Sequence, residues 1–298
     1  MTARGKAEWL LFATTFIWGG TFVIIKAGLA DISPLLMIAL RFTLATLVLL
    51  PFCLRAALKT DRKTFLWGFI LGFLVFLGFL LQTAGLAETT ASNSAFITTL
   101  MVVFTPLFQF LILKRRPRGA SLIGVLIVCV GLWLLTAPAG GALNRGDLFT
   151  FFCALDFGLF IVLLDWTTRR HDPLLLTFFQ ILGPALYGWA TLFLLEVPRF
   201  RPTPAVWIAL GYTAVLATVV TGYIQTRYQR DTTPTRAALL FSLEPLWAAL
   251  LGFFYLGERM GGRGMVGGAL ILAGILFSER SEAILLRGEQ LIQWIRKR

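Results

Sequence analysis

Apolar residues occupy this chain in ten blocks of roughly 17 to 22 residues, separated by short stretches rich in Gly, Pro or charge. The blocks fall near 8–28, 34–54, 65–86, 92–113, 119–136, 147–166, 173–195, 204–226, 236–256 and 263–279. Wound as helices, blocks of that length cross a hydrocarbon core about 30 Å thick. The pattern predicts an all-α integral membrane protein with ten transmembrane helices. Composition strengthens it: 57% of residues are hydrophobic and 14% charged, against roughly 25% charged in soluble domains. A mean hydropathy of +0.80 leaves the bilayer as the solvent.

The net charge of +12 changes this picture little, because the basic residues sit in short loops, where membrane topology puts them. No nucleic-acid partner is expected. With the N-terminus inside, twenty of the 27 Lys and Arg residues fall in inner segments; five, Arg145, Arg199, Arg201, Arg259 and Arg263, fall outside. This bias predicts a multi-pass protein of a bacterial-type inner membrane with both termini cytoplasmic. Arg4 and Lys6 precede the first block as in a signal peptide, yet that block runs on to Lys26 without a small-residue cleavage site, so it is expected to stay as a helix. Residues 280–298 place Ile284, Leu285, Leu291, Ile292 and Ile295 on one helical face, the pattern of an interfacial helix on the inner leaflet.

The chain also repeats itself. A shift of 139 residues over the first two helices sets Gly19 on Gly158 and Pro34 on Pro173. A shift of 143 over the next three sets Gln82, Thr83, Thr89, Thr90 and Ala95 on identical residues, and Gly124 and Gly131 on Gly267 and Gly274. The predicted halves are 1–137 and 138–279. Each holds five spans, an odd number, so the second enters the membrane from the opposite side. Inverted repeats favour alternating access around a cavity near the midplane, where a small-molecule solute is held between the halves.

Distributed marks carry a resemblance over about residues 8 to 279. They are FIWGGTFVIIKAGL in the first helix, SPLLMIALRF in the second, SAFITTLMVVFTPLF in the fourth, LEPLWAALLGFFYLGE in the ninth and the glycines spaced by seven in the fifth and tenth. In these the chain resembles the EamA-type branch of the drug/metabolite transporter superfamily. The resemblance implies a ten-helix secondary transporter, an exporter of amino acids or related metabolites; the alternative it allows is efflux of drug-like or cationic compounds. One departure is that the fourth helix ends in Lys114 and Arg115 where the ninth ends in Gly257 and Glu258.

Ionisable groups within the bilayer are costly and mark function unless they are paired. Arg41, Asp156 and Glu244 stand out, the two carboxyls near mid-depth from opposite ends. Each carboxyl is a candidate for proton coupling; the competing structural readings are that Asp156 neutralises Arg41 and that Glu244 satisfies backbone freed by Pro245. Arg41 is expected to lock helices through a bidentate carboxylate pair, and Lys26 to snorkel to the outer interface. Gln82, Asn93, Thr98 and Gln225 are expected to line a cavity, with Gln82 and Gln225 as paired gates at opposite ends. Trp18, Tyr223 and Trp247 are candidate aromatic walls. Gly19, Gly20, Gly158, Pro106 and Pro245 are candidate hinges, with close packing the competing reading for the glycines. Cys53, Cys129 and Cys153 lack metal-site spacing, His171 stands alone, and no HExxH, GxSxG or phosphate-cradling loop occurs, so neither catalysis nor a metal or cofactor is expected.

The topology has a direct test. Asn144→Cys, in a background lacking the three native cysteines, is expected to react with an impermeant thiol reagent applied to intact cells. Labelling only after the membrane is opened would contradict the inverted arrangement.

Overall fold

The computed structural model describes residues 2–89, 91–136, 144–256 and 261–278, the side chains of 91–93, 135–136 and 252–256 excepted. Apart from an isolated bridge between Ile32 and Phe200, the regular structure of the described residues is helical. Ten crossings follow in order. They are α1 (Ala3–Gly28), α2 (Pro34–Ala57), α3 (Arg62–Glu88), α4 in two pieces (Ala91–Thr99 and Met101–Leu113) and α5 (Gly119–Thr136). Then come α6 (Arg145–Thr168), α7 (Pro173–Leu195), α8 in three pieces (Pro204–Gly211, Tyr212–Val220 and Thr221–Tyr228), α9 in two (Pro234–Phe241 and Glu244–Leu256) and α10 (Gly262–Ser278). Seven of these are long and apolar enough to cross a membrane outright; α5, α9 and α10 are shorter apolar helices. The interfacial helix expected at 280–298 lies outside the described residues.

Local chemistry sets the ends. Pro34, Pro173, Pro204 and Pro234 occupy first helical positions, where a missing N–H costs nothing. Asp61, Asp172, Thr203 and Thr233 cap the following N–H groups, and Asn144 forms a reciprocal box with Asp147. Leu47, Phe52, Leu107, Leu126, Phe193 and Leu194 stay exposed, which in a bilayer means facing lipid.

The packing follows the pseudo-two-fold of an inverted repeat. The first helix of the second half, α6, packs on α3, and the first helix of the first half, α1, packs on α8. Likewise α4 packs on α6 and α9 on α1, while α2 meets α7. The α5–α10 pair is equally self-related: Cβ atoms built on Gly124 and Gly131 would lie 2.8 and 2.7 Å from the carbonyl oxygens of Gly274 and Gly267, so only glycine permits this approach.

The match extends to single atoms. A Cβ at Gly19 would meet Trp247 Cβ at 2.6 Å, the Glu244 carbonyl and the Ala248 amide; one at Gly158 would meet Phe104 Cβ at 2.9 Å, the Met101 carbonyl and the Thr105 amide. Each of these neighbours is carried onto the other by the 143-residue shift. Gly19, Gly20 and Gly158 therefore serve as contact points inside unbroken helices; none of them interrupts its helix as a hinge would.

The real interruptions are also equivalent. In α4 the amide of Leu100 donates to the Ile97 carbonyl (3.1 Å), and in α9 the amide of Leu243 donates to the Leu240 carbonyl (3.1 Å). These tight turns sit 143 residues apart. Just before each, a hydroxyl bonds back to the carbonyl four residues earlier: Thr99 to Ala95 (2.7 Å) and Ser242 to Ala238 (3.1 Å). Such back-bonding competes with the helical ladder and bends helices. Pro245 adjoins the turn in α9, whereas Pro106, the other proline named as a candidate hinge, lies inside the continuous piece Met101–Leu113 and away from the turn at Leu100.

Gly19→Ala and Gly158→Ala are expected to destabilise the purified protein comparably, by about 1–3 kcal/mol of overpacking. Thermal melting checks this, and unchanged melting in both variants would contradict the close approach.

Candidate functional site

The two turns frame a cavity of about 100 Å³ between the halves, room for several waters. Thr98 and Met101, flanking Leu100, line it on one side; Phe241 and Glu244, flanking Ser242 and Leu243, line it on the other. The shift of 143 relates these pairs residue by residue, so Glu244 stands where the first half has Met101. Trp18 and Phe22 of α1, Phe79 of α3 and Phe157 and Phe160 of α6 give aromatic walls, and Ala217, Thr218 and Thr221 bring in α8. That stretch of α8 begins as a π-helix, Tyr212–Val220, a departure from α geometry found often at functional sites.

Three glutamines converge there. Gln82 donates to Thr98 Oγ1 (3.3 Å), Gln225 to Gln229 Oε1 (3.0 Å) and Gln180 to Thr226 Oγ1 (2.6 Å). Gln82 and Gln225 are equally buried, 7% exposed each, on this one cavity. Both side chains lie along its inner surface, Gln225 close to the end of α8. Gln180 escaped the sequence reading. Its signal was available, since the 139-residue shift sets it on Arg41.

Arg41 is fully buried one layer behind the wall. Its Nε donates to Thr218 Oγ1 (2.8 Å) and its Nη2 to the Ala217 carbonyl (3.2 Å), while the guanidinium lies 4.2 Å over the Phe79 ring. The indole of Trp18 also donates to Ala217 O (3.3 Å). Arg41 thus does lock helices, joining α2 to α8, but not through the expected carboxylate, and Asp156 does not neutralise it: among the described residues no carboxylate lies within ion-pair distance. The π-helical segment offers a hydroxyl and a carbonyl in place of an acid.

The two mid-depth carboxyls are unpartnered among the described residues. Asp156 is 7% exposed, with its Oδ2 unbonded and pressed toward Gly78. Glu244 is 6% exposed, lines the cavity and makes no ion pair or side-chain hydrogen bond, so it does not satisfy the backbone freed by Pro245. Among the lining residues it is the one with an acidic side chain.

Other expectations are redirected. Trp247 donates to Thr15 Oγ1 (2.9 Å) and packs edge-on against Phe12 and Phe16, away from the cavity. Tyr223 is 37% exposed and also off the cavity. Lys26 extends to the end of α3, where its Nζ caps the carbonyls of Leu86 (2.5 Å) and Thr89 (2.8 Å). The side chain of Asn93 lies outside the described residues. At the basic end, two acids escaped the sequence reading because they fall near span ends: the buried Asp165, bidentate to Arg169, and the half-buried Glu8, bonded to Arg236 Nε (2.8 Å) and Thr232 (3.0 Å).

Comparison with known proteins adds to this geometry. An uncharacterized transporter of Archaeoglobus fulgidus is 34% identical over 92% of this chain and 85% of its own. A probable amino-acid metabolite efflux pump of Salmonella typhimurium is 26% identical over 91% of this chain and 93% of its own. A protein known from a crystal structure shares the fold, with a TM-score of 0.78 at 20% identity over 95% of this chain and 99% of that one. The model of the EamA-like transporter family matches twice, at residues 5–137 and 144–279. An inverted ten-helix bundle around a central cavity, matched by this family along both of its halves, is a transporter fold, and the chain belongs to the EamA-like transporter family.

Proposed function

We propose that this chain exports amino acids or related metabolites across a bacterial-type inner membrane by alternating access, the halves 1–137 and 138–279 moving about the cavity while both termini stay cytoplasmic. The observation that carries the reading is the partnerless carboxylate of Glu244 on the cavity, beside the turn in α9. A carboxylate at that point takes the ammonium of a solute. The amides of Gln82, Gln180 and Gln225 take its carboxylate or polar groups, and Trp18, Phe79, Phe157 and Phe241 take an apolar side chain. The Salmonella relative, a probable amino-acid metabolite efflux pump, supports this reading.

Efflux of cationic, drug-like compounds is the second reading, and one observation favours it. No Lys or Arg lines the cavity among the described residues, since Arg41 stands behind Phe79. An organic cation needs an acid and aromatic faces only.

Proton coupling belongs to the proposal, through Glu244, Asp156 or both. A carboxyl group takes up a proton when the site opens to one side of the membrane and releases it when the site opens to the other.

Transport in proteoliposomes tests both points. Glu244→Gln and Asp156→Asn are expected to abolish pH-driven uptake in at least one variant while sparing solute exchange; unchanged pH dependence in both removes the coupling role. Zwitterionic amino acids are expected to compete with one another for uptake, whereas competition by permanent cations alone transfers the assignment to cation efflux.

A further inference from the structure

We propose that the basic end of the bundle carries a binding site for the phosphodiester headgroup of an anionic phospholipid, in a cleft between the ends of α4 and α6. The cleft holds about 420 Å³ and is lined by Ile112, Leu113, Arg115, Trp166, Arg169 and Arg170, with Asp165 at its base. Three guanidinium groups thus surround one carboxylate, an excess of positive charge that attracts an anionic phosphodiester.

The arrangement is built from below. Asp165 is fully buried and receives Arg169 in a bidentate pair, at 2.8 Å to Oδ1 and 3.2 Å to Oδ2. Arg169 Nη2 also donates to the Arg230 carbonyl at 2.7 Å, which fixes that guanidinium in place. Arg115 leans toward the same acid, 3.9 Å from Oδ2, with 61% of its side chain exposed. Arg170 lies 4.2 Å over the Trp166 ring and donates to the Trp166 carbonyl at 2.8 Å. One buried acid and one indole therefore gather three cations around a solvent-open space.

The surroundings select a lipid over a free phosphate. Ile112 is 40% exposed at the edge of the cleft, and Leu107, Phe110 and Leu111 continue outward-facing along α4. They give an acyl chain a track that starts at the headgroup. Trp166 packs against Trp67 with ring centroids 4.7 Å apart, a pair suited to the interfacial depth where phosphates lie. A second cleft of about 170 Å³ shares Arg115 and Arg169 and adds Arg116, extending the basic surface for the rest of the headgroup. Basic pockets between transmembrane helices bind anionic headgroups by this logic; inorganic phosphate gains the arginines but nothing from the apolar track.

The test uses purified full-length protein in phosphatidylcholine nanodiscs with phosphatidylglycerol titrated in, bound lipid being read by native mass spectrometry and stability by thermal melting. The parent is expected to retain phosphatidylglycerol over phosphatidylcholine. Arg115→Gln/Arg170→Gln is expected to weaken that retention at least tenfold, with melting in pure phosphatidylcholine little changed. Lys59→Gln/Lys63→Gln, which removes equal charge from the same end, is expected to keep it. Should the double variant not fold, Arg115→Gln alone is expected to show the same direction of loss. Equal retention of both lipids by the parent, equal weakening by the lysine and arginine pairs, or millimolar inorganic phosphate competing as well as a short-chain phosphatidylglycerol would each overturn the proposal.

Discussion

A backbone that crosses hydrocarbon must satisfy its own hydrogen bonds, since every unpaired amide there costs several kcal/mol. Most of this chain obeys by running in unbroken helices. The exceptions are the tight turns at Leu100 and Leu243 and the π-helical stretch Tyr212–Val220, and all three border the central cavity or the groups that line it. Irregular backbone is tolerated at that depth where protein or an aqueous cavity covers it. The geometry of the site follows from this constraint. The turns rotate Thr98 and Met101, and Phe241 and Glu244, toward the interior, and the altered α8 presents Thr218 and the Ala217 carbonyl to Arg41.

Two-fold symmetry arranges these features, and its breaking provides the chemistry. Gly19 and Gly158 make the same contacts in the two halves, down to the atoms they touch. Around the cavity the equivalences persist in position but not in charge: Met101 corresponds to Glu244, and Arg41 to Gln180. Shape is therefore shared between the halves, while each charge belongs to one of them. On the proposed reading, the symmetric frame would let the bundle open either way at similar cost, and the asymmetric charges would let solute and proton distinguish the two directions.

Much of the fold was legible because a single physical length, the thickness of the hydrocarbon, fixes the size of each apolar block. The repeat was legible in Gly124, Gly131, Gln82 and Gln225, whose counterparts recur at constant shifts. The site was read less completely. Gln82, Thr98, Gln225, Glu244 and Trp18 line the cavity as expected, but Trp247 and Tyr223 do not, since an aromatic in so aromatic a chain gives no sign of which face it takes. Proline misled at Pro106: the break in α4 falls at Leu100, beside Thr99, whose hydroxyl bonds back to Ala95, and hydroxyls that back-bond in the same way elsewhere leave their helices unbroken. The partner of Arg41 was unreadable for a related reason, because a backbone carbonyl and a threonine on a distorted helix carry no charge pattern in the sequence.

The central claim is that the two ends of the cavity open in alternation because the halves are inverted copies. Glu88 and Arg145, at the ends of α3 and α6, form one pair; under the same shifts their counterparts are Asp231 and Lys6, past the end of α8 and at the start of α1. Spin labels on each pair, with distances measured by pulsed electron resonance in nanodiscs, test this directly. Adding a transported solute or changing pH is expected to lengthen one pair while shortening the other. Distances that stay fixed, or that change together in the same direction, would contradict the account.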